Sequence, residues 1–185
     1  MNKEKRLISV GKDYTEMLPM FRNLVLRSGA KKGDCLIWAG CPGTCYAMAT
    51  FFSYGLRDLG LNLYFAVDAD FHRLWRLQLI KEVGVIASKK EDLENPIKAK
   101  VLVLMSGLLR VPFENVLKLV REGLASDGTI IGETVVPGLF QKENWGETVV
   151  PGLFQKEKWD EQIPFRFIFE FSMEKPTSFE MGTLS

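Results

Sequence analysis

Cys35 to Leu59 reads CLIWAGCPGTCYAMATFFSYGLRDL, and this stretch decides the fold class of the chain. A short apolar run that ends at Ala39 meets a Gly-Cys-Pro-Gly-Thr-Cys turn and then a long apolar segment. This succession predicts a strand, a tight loop and a helix, the opening of an α/β unit. Because loops at the carboxyl ends of strands build the ligand site in open α/β sheets, we place the first candidate chemistry in this turn.

The rest of the chain alternates between strand-like and helix-like patterns. Apolar residues recur at helical spacing after Asp13, and Pro19 indicates that this helix either begins near Pro19 or is kinked there. Apolar runs and turn residues predict further strands at 61–67, 83–87, 100–105, 129–136 and 165–173, and further helices at 46–59, at 71–83 and after Pro112. The order predicts one three-layer, Rossmann-like α/β domain over residues 1–185, with a mostly parallel sheet. We expect a polar arm at 1–12 and a C-terminal strand in an edge or antiparallel position.

The composition excludes several classes of protein. Of the 185 residues, 46% are hydrophobic and 25% are charged, and the net charge is +1 without a basic stripe, so we expect no nucleic-acid partner. No run approaches the roughly 18 apolar residues of a membrane span, so we expect no membrane partner. With only three cysteines a disulfide framework is not expected, which favours a cytoplasmic protein. We expect a small-molecule ligand and leave a homodimer open.

The chain contains a near-identical tandem repeat. GETVVPGLFQKENW at 132–145 is followed at once by GETVVPGLFQKEKW at 146–159, and the copies differ only at Asn144 and Lys158. Solenoid repeats are longer and more divergent, and two copies are too few to stack. We interpret the repeat as a recent duplication or as an artefact of how the coding sequence was assembled.

The turn from Gly40 to Cys45 supports three interpretations, of which the first is phosphate binding. A Gly-rich turn before a helix exposes backbone N–H groups at the positive end of the helix dipole. The turn resembles a Walker A loop, but Cys45 and Tyr46 stand where that loop has its second Gly and its Lys. Its glycines also resemble a dinucleotide fingerprint that lacks one Gly. The candidate ligand-binding residues in the turn are Gly40, Pro42, Gly43 and Thr44.

The second interpretation is thiol chemistry at Cys41 and Cys45. Unpaired N–H groups at a helix N-terminus stabilise a thiolate, so we expect Cys41 to be open to solvent with a pKa below about 8.5. Residues four apart share a helix face, so the two thiols could approach as a redox pair. We expect Cys35 to be buried and inert, with alkylation in the order Cys41, Cys45, Cys35. The alternative is that Cys45 and Cys35 are small buried apolar residues.

The third interpretation is metal binding. Beyond the thiols of Cys41 and Cys45, only His72, Asp68 and Asp70 could serve as ligands. A zinc signature would show a second Cys or His pair, and the sequence has none. We therefore assign no metal, and the sequence identifies no cofactor.

Acidic residues follow two of the predicted strands. Asp68 and Asp70 come after the strand at 61–67, where a Rossmann-type domain places an acid on ribose hydroxyls. Asp70 is also a natural N-cap for the helix predicted at 71–83. Glu133 would end the strand predicted at 129–136 and is a further ligand-binding candidate, and a carboxylate buried there would need a partner.

The loop after the predicted strand at 100–105 should stand beside the central turn. It begins with Ser106 and Gly107, which we include among the ligand-binding candidates. Arg110 lies just beyond them and could meet an anion there, although an ordinary surface position is equally compatible with the pattern.

Several motifs of the chain resemble those of an uncharacterised family of small archaeal proteins, best known from methanogens, that carries only a domain-of-unknown-function label. The motifs are GCPGTC before an apolar aromatic helix, LYFAVDAD, VLVLMSGLLRVP, and IIG followed by GLFQKEKW and IPF, over roughly 36–165. The resemblance implies an archaeal cytoplasmic protein with an α/β fold and implies no reaction. The segment VLVLMSGLLRVPFENVLKLVREGLASDGTIIGE is similar to part of the Rossmann-fold methyltransferases, whose Gly-rich loop is replaced here by Gly-Cys-Pro-Gly.

Three functions remain open from the sequence. The first is binding of a small anionic or nucleotide-like ligand by residues 40–44, with Asp68 and Ser106 at the rim. The second is a thiol, redox or metal-dependent enzyme or sensor that uses Cys41 and Cys45. The third is an interaction subunit whose aromatic C-terminal strand pairs with the sheet edge of a partner.

Overall fold

The structure is a computed structural model, and it describes residues 3–70, 73–90, 97–136, 159–171 and 176–183. In those ranges the strands are β1 (Lys3–Val10), β2 (Cys35–Gly40), β3 (Asn62–Val67), β4 (Leu74–Ile80), β5 (Gly84–Lys90), β6 (Ala99–Met105), β7 (Leu124–Thr134), β8 (Phe165–Glu170) and β9 (Thr177–Thr183). The helices are α1 (Met17–Arg27), α2 (Thr44–Tyr54), α3 (Phe113–Gly123) and the short α4 (Trp159–Gln162), with 3₁₀ helices at Tyr14–Glu16 and Ser106–Arg110. Of the helices so described, none has the length and apolar character needed to cross a membrane.

These strands form one sheet in the order β1-β9-β8-β7-β6-β2-β3-β4-β5. The central strands β3, β2, β6, β7 and β8 run parallel to one another, and antiparallel strands extend the sheet on both sides. The α/β class is confirmed, but a mostly parallel sheet is not, because half of the described strand pairs are antiparallel. If the five parallel strands β2, β3, β6, β7 and β8 are numbered 1 to 5 in chain order, they lie in the sheet in the order 2-1-3-4-5. The order therefore reverses between β2 and β6, and ligand sites of open α/β sheets form at such switch points.

The helix predicted at 71–83 is wrong, because the described part of that segment is a strand. β4 pairs antiparallel with β3 and with β5. Leu74 and Leu77 are its buried residues, and a turn with positive φ at Glu82 (66°) and Gly84 (106°) returns the chain into β5. Pairing with the sheet satisfies the backbone of this segment and buries its two leucines, so the sheet overrides the helical spacing of its apolar residues.

Both ends of the chain differ from the prediction. The segment predicted as a polar arm contains β1, which pairs antiparallel with β9, a strand that the sequence pattern did not indicate. β8 pairs with β7 on one side and with β9 on the other. The backbone of β8 is therefore occupied within the sheet, and the hypothesis that this aromatic strand pairs with the edge of a partner is wrong.

The core has two halves, one on each face of the sheet, because side chains of a strand alternate between the faces. Trp38 of β2 packs on one face under α1 and α2, where its ring stacks on Phe21 at 4.9 Å between centroids. Phe52 lies equally close to Phe21 at 4.9 Å. The next residue along β2 toward its start, Ile37, belongs to the opposite half, together with Val116 of α3. Helices therefore cover both faces, which gives the three predicted layers.

The tandem repeat lies mostly outside the described residues. The first copy contributes Gly132, Glu133 and Thr134 to β7. The last residue of the second copy, Trp159, is buried and packs on Phe113 with 5.1 Å between ring centroids. The structure thus describes the two ends of the repeated segment as parts of the fold, and residues 137–158 lie outside the described ranges.

The aromatic core predicts a large difference between two neighbouring residues of α2. Phe52 is fully buried and contacts the rings of Phe21, Trp38, Phe169 and Phe171, whereas Phe51 is 41% exposed. We expect Phe52→Ala to lower the free energy of unfolding by about 3–5 kcal/mol, because it leaves a cavity among packed rings. The matched control Phe51→Ala should cost less than about 1 kcal/mol. Urea unfolding followed by tryptophan fluorescence measures both, and equal losses would contradict this account of the core.

Candidate functional site

The loops that follow three adjacent parallel strands meet at the switch point. The turn from Gly40 to Cys45 joins the carboxyl end of β2 to α2. The backbone N–H of Asp68, after β3, donates to the carbonyl of Gly40 at 2.9 Å. The 3₁₀ helix Ser106–Arg110 follows β6, the parallel neighbour of β2 on its other side. Residues from all three sequence-predicted loops are thus brought to one region of the sheet edge.

Two glycines allow the thiols of Cys41 and Cys45 to meet. An ideal Cβ on Gly107 would lie 2.3 Å from Cys45 Sγ and 2.9 Å from Cys41 Sγ. An ideal Cβ on Gly40 would lie 2.5 Å from Cys45 Cβ and 3.0 Å from Cys45 Sγ. The two sulfur atoms therefore occupy the space that a side chain at position 107 would fill. No disulfide joins them in this structure.

Cys41 is a buried thiol with an acidic character. It is 8% exposed, so the expectation that it is open to solvent is wrong. Burial raises the pKa of the Cys41 thiol, but hydrogen bonds from the backbone and thiol of Cys45, the hydroxyl of Thr44 and the backbone of Gly43 outweigh burial and lower the pKa to about 7. The distance from Cys41 Sγ to Thr44 Oγ1 is 3.7 Å. A large fraction of Cys41 is therefore thiolate at neutral pH, the direction that a position beside the start of α2 predicts.

Cys45 has the opposite character. Burial raises the pKa of its thiol; a hydrogen bond with the Cys41 backbone lowers it, but the sulfur of Cys41 and the charges of Cys41 and Glu133 raise it further, to about 12. Cys35, expected to be buried, is only half-buried. The expected alkylation order therefore changes, since Cys45 rather than Cys35 should react last.

Glu133 is a buried acid on the same side of the sheet. It lies in β7, opposite Met105 of β6 in the parallel register, and is 2% exposed. Burial raises the pKa of this carboxyl, and the negative charge of Cys41 raises it further, to about 8. Among the described residues no ion pair neutralises Glu133, so the group avoids an unpaired buried charge by keeping its proton at neutral pH.

The remaining candidates lie at the rim of the site. Arg110 Nη2 donates to Asp68 Oδ1 at 3.2 Å, so this guanidinium has a carboxylate partner within the protein. Arg73, which the sequence pattern did not single out, places its Nη1 3.5 Å from the other carboxylate oxygen, Asp68 Oδ2. In the described ranges the element that follows Asp70 is β4 rather than the predicted helix, and the carbonyl of Asp70 accepts the N–H of Arg73 at 3.0 Å. Ser106 opens the 3₁₀ helix that carries Gly107 and is half-buried.

One structural contributor to the site was missed from the sequence. The hydroxyl of Tyr46 accepts the backbone N–H of Ala87 in β5 at 2.9 Å, and its ring meets Phe65 edge-on at 5.6 Å. No sequence pattern distinguished Tyr46 from the apolar residues around it, because its partner Ala87 lies on another strand, 41 residues along the chain.

Within the described ranges no cluster of His, Cys, Asp or Glu is placed to hold a metal ion. His72 lies outside those ranges.

The contacts around Cys41 predict its titration. The rate of Cys41 carboxamidomethylation, followed by peptide mass spectrometry, should rise with pH to a midpoint at about 7, because only the thiolate reacts. Thr44→Val should raise this midpoint by roughly half to one pH unit, since it removes a hydrogen bond to the charged form. Thr50→Val is the matched control on the same helix, because the Thr50 hydroxyl donates to the carbonyl of Ala47 instead. A midpoint near that of a free cysteine would contradict the hydrogen-bonding arrangement.

Comparisons with known proteins agree with this architecture. The profile of a family described as "Uncharacterized protein conserved in archaea (DUF2124)" matches residues 12–151. An uncharacterized protein of Methanothermobacter thermautotrophicus is 30% identical over 142 residues, which cover 70% of this chain and 86% of that protein. A crystal structure of a protein of unknown function from the same species has a TM-score of 0.65 and 25% identity over 92% of each chain. The likeness to Rossmann-fold methyltransferases remains a prediction, whereas the predicted archaeal family is confirmed: the chain belongs to the archaeal DUF2124 family.

Proposed function

We propose that this protein is a thiol–disulfide oxidoreductase or redox sensor whose reacting groups are Cys41 and Cys45. The observation that carries the proposal is that the two sulfur atoms lie 2.3 and 2.9 Å from the position that a Cβ of residue 107 would take, so that an acidic thiol lies beside a second thiol. A nucleophilic thiolate with a neighbouring thiol that can displace its adduct is the arrangement that dithiol chemistry requires. We place this chemistry in the cytoplasm, in line with the cysteine content.

The anion-binding character of the turn also favours thiol chemistry. The Thr44 hydroxyl lies 3.7 Å from Cys41 Sγ, and the backbone of Gly43 and of Cys45 helps to lower the pKa of the Cys41 thiol. The helix start that was interpreted as a phosphate site therefore already has an anion to stabilise, the Cys41 thiolate. Arg110, the basic side chain expected to assist a bound anion, is paired with Asp68.

The reaction proceeds in two displacements. The Cys41 thiolate attacks a disulfide of the substrate, forming a mixed disulfide and releasing one substrate thiolate. The Cys45 sulfur, after losing its proton, attacks the Cys41 sulfur and releases the second substrate thiolate. Two electrons pass from the protein dithiol to the substrate disulfide, and a thiol reductant reverses the process. Pro42, Gly43 and Thr44 are exposed beside the small accessible part of Cys41, so the substrate would approach over these residues.

Mild oxidation tests this function directly. Diamide treatment should link Cys41 to Cys45, because their sulfurs are already neighbours, and mass spectrometry of the digest should find that single cross-link. Cys35→Ser is the matched control and should form the same cross-link, whereas Cys41→Ser and Cys45→Ser should not. Recovery of the free dithiol under oxidation that cross-links other protein dithiols would overturn the proposal.

A second candidate function is the binding of a small anionic or nucleotide-like ligand over the start of α2. Gly43, the N-cap of α2, supplies no side-chain hydrogen bond to the first turn, and its ideal Cβ would have no atom within 4 Å. The parallel centre of the sheet, which we regard as Rossmann-like, places this turn at the switch point where such ligands bind.

The two candidates respond differently to one substitution. If the turn binds an anion, inorganic phosphate or a nucleotide should raise the melting temperature of the protein, since the ligand binds the native state. Gly43→Val should abolish this rise without altering the Cys41–Cys45 cross-link, because the added side chain extends outward into open space where a ligand would lie. No rise across a broad panel of nucleotides and phosphates in the unsubstituted protein would exclude this second function.

A further inference from the structure

Glu133 lies in a row of residues that crosses the sheet toward the dithiol. The parallel registers place Glu133 between Met105 of β6 and Phe169 of β8. Met105 and Phe169 belong to the core on the α1 and α2 face, the same half that contains Cys41 and Cys45. An ideal Cβ on Gly40 lies 3.2 Å from Met105 Cβ, so Gly40 continues this row on β2. The carboxyl of Glu133 therefore lies on the face of the sheet that carries Cys41 and Cys45. Its row starts at Gly40, whose ideal Cβ would lie 2.5 Å from Cys45 Cβ.

Apart from the two thiols, none of the described residues around Glu133 supplies an ionisable group that could pair with its buried carboxyl. Its neighbours in the row are Met105 and Phe169, both uncharged. Glu170, the next residue on β8, belongs to the opposite face, because Phe169 and Phe171 both belong to the α1 and α2 half. At the rim, Asp68 pairs with Arg110. The titratable groups that act electrostatically on Glu133, or respond to its charge, are the two thiols.

We propose that Glu133 accepts the thiol proton of Cys45, directly or through one water molecule, when Cys45 attacks a mixed disulfide on Cys41. The inference rests on the proposed dithiol function. In this step the Cys45 S–H bond breaks and the proton passes to a Glu133 carboxylate oxygen. The Cys45 sulfur forms a bond to the Cys41 sulfur, and the bond from Cys41 to the substrate sulfur breaks, so the substrate leaves as a thiolate.

The charge of Cys41 switches Glu133 between two states. Burial raises the pKa of Glu133, and in the reduced protein the Cys41 thiolate raises it further, so the carboxyl keeps its proton at neutral pH. Formation of the mixed disulfide removes that negative charge, which lowers the pKa of Glu133 and favours its ionised form. The same loss of charge lowers the pKa of Cys45, which burial and the negative charge of Cys41 raise in the reduced protein. An ionised acceptor and a more acidic donor are therefore favoured once the first displacement has occurred.

Reaction with dithiobis(nitrobenzoate) separates the two displacements, because each releases one coloured aryl thiolate. The experiment uses the full chain carrying Cys35→Ser, so that only Cys41 and Cys45 react. In this background we expect Glu133→Gln to leave the rate of the first release within about twofold of the rate with Glu133, since Glu133 is protonated when Cys41 attacks. The second release should slow roughly 10- to 100-fold, the scale expected for loss of a positioned proton acceptor. Glu170→Gln, a buried glutamate on the opposite face, should leave both releases unchanged.

The pH profile of the second release distinguishes proton transfer from a structural effect. With Glu133 present the rate should level off once its carboxyl is ionised, whereas in Glu133→Gln it should keep rising with hydroxide concentration. Should the glutamine variant not fold, the profile of the parent protein still decides, because a rate that rises steadily without levelling overturns the inference. An unchanged second release in a folded Glu133→Gln also overturns it and leaves the dithiol function standing. If the parent itself releases only one thiolate, the proposed function fails instead.

Discussion

The site depends on the close approach of two sulfur atoms to backbone that carries no side chain. Gly40 ends β2 and Gly107 follows β6, and the positions of their missing Cβ atoms lie 2.5 Å from Cys45 Cβ and 2.3 Å from Cys45 Sγ respectively. These contacts exist only because β2 and β6 are parallel neighbours, so that the chain leaves both strands at the same edge of the sheet. The reversal of strand order at this point opens the space, and the two glycines leave enough of it for a pair of thiols.

Three buried acidic groups, Cys41, Cys45 and Glu133, lie on the same face of the sheet, and the charge of one raises the pKa of another. The start of α2 selects which one is charged first, because its N–H groups and the Thr44 hydroxyl are directed at Cys41 rather than at Cys45. Once Cys41 is a thiolate, its charge raises the pKa of both Cys45 and Glu133. The order of ionisation is therefore a property of the group of three, and a change at Cys41 alters the state of the other two.

The sequence predicts the local parts of this arrangement better than the long-range ones. The strand, turn and helix around Cys41 follow from an apolar run, a Gly-Pro-Gly punctuation and a second apolar segment, all within 25 residues of one another. The hairpin of β4 and β5 could not be predicted in the same way, because Leu74 and Leu77 fit a helix or a strand equally well until a sheet edge is available to them. β1 and β9 likewise become strands by pairing with each other across almost the whole length of the chain.

The position of Glu133 on the same face as the thiols shows why part of the site cannot be found from a single sequence. Its relation to Cys45 depends on two registers, that of β2 with β6 and that of β6 with β7. A shift of one residue in either register would turn the carboxyl to the opposite face of the sheet. Local patterns indicate that a strand exists but leave its register undetermined.

The orientation of α2 is held at both ends, and in the proposed dithiol function this orientation affects how strongly the reduced form is favoured. Near the end of the helix, Arg22 donates to the carbonyl of Gly55 at 2.9 Å, and at its beginning Tyr46 accepts the N–H of Ala87 at 2.9 Å. The N–H groups that face Cys41 therefore keep their direction whether or not a charge is present, so their stabilisation is realised only when Cys41 is a thiolate. Stabilising the thiolate stabilises the reduced protein, which makes the corresponding disulfide a stronger oxidant. Burial of Cys45 and Glu133 does not cancel this preference at neutral pH. Both groups are uncharged in the reduced protein, so no charge has to be removed from water to bury them.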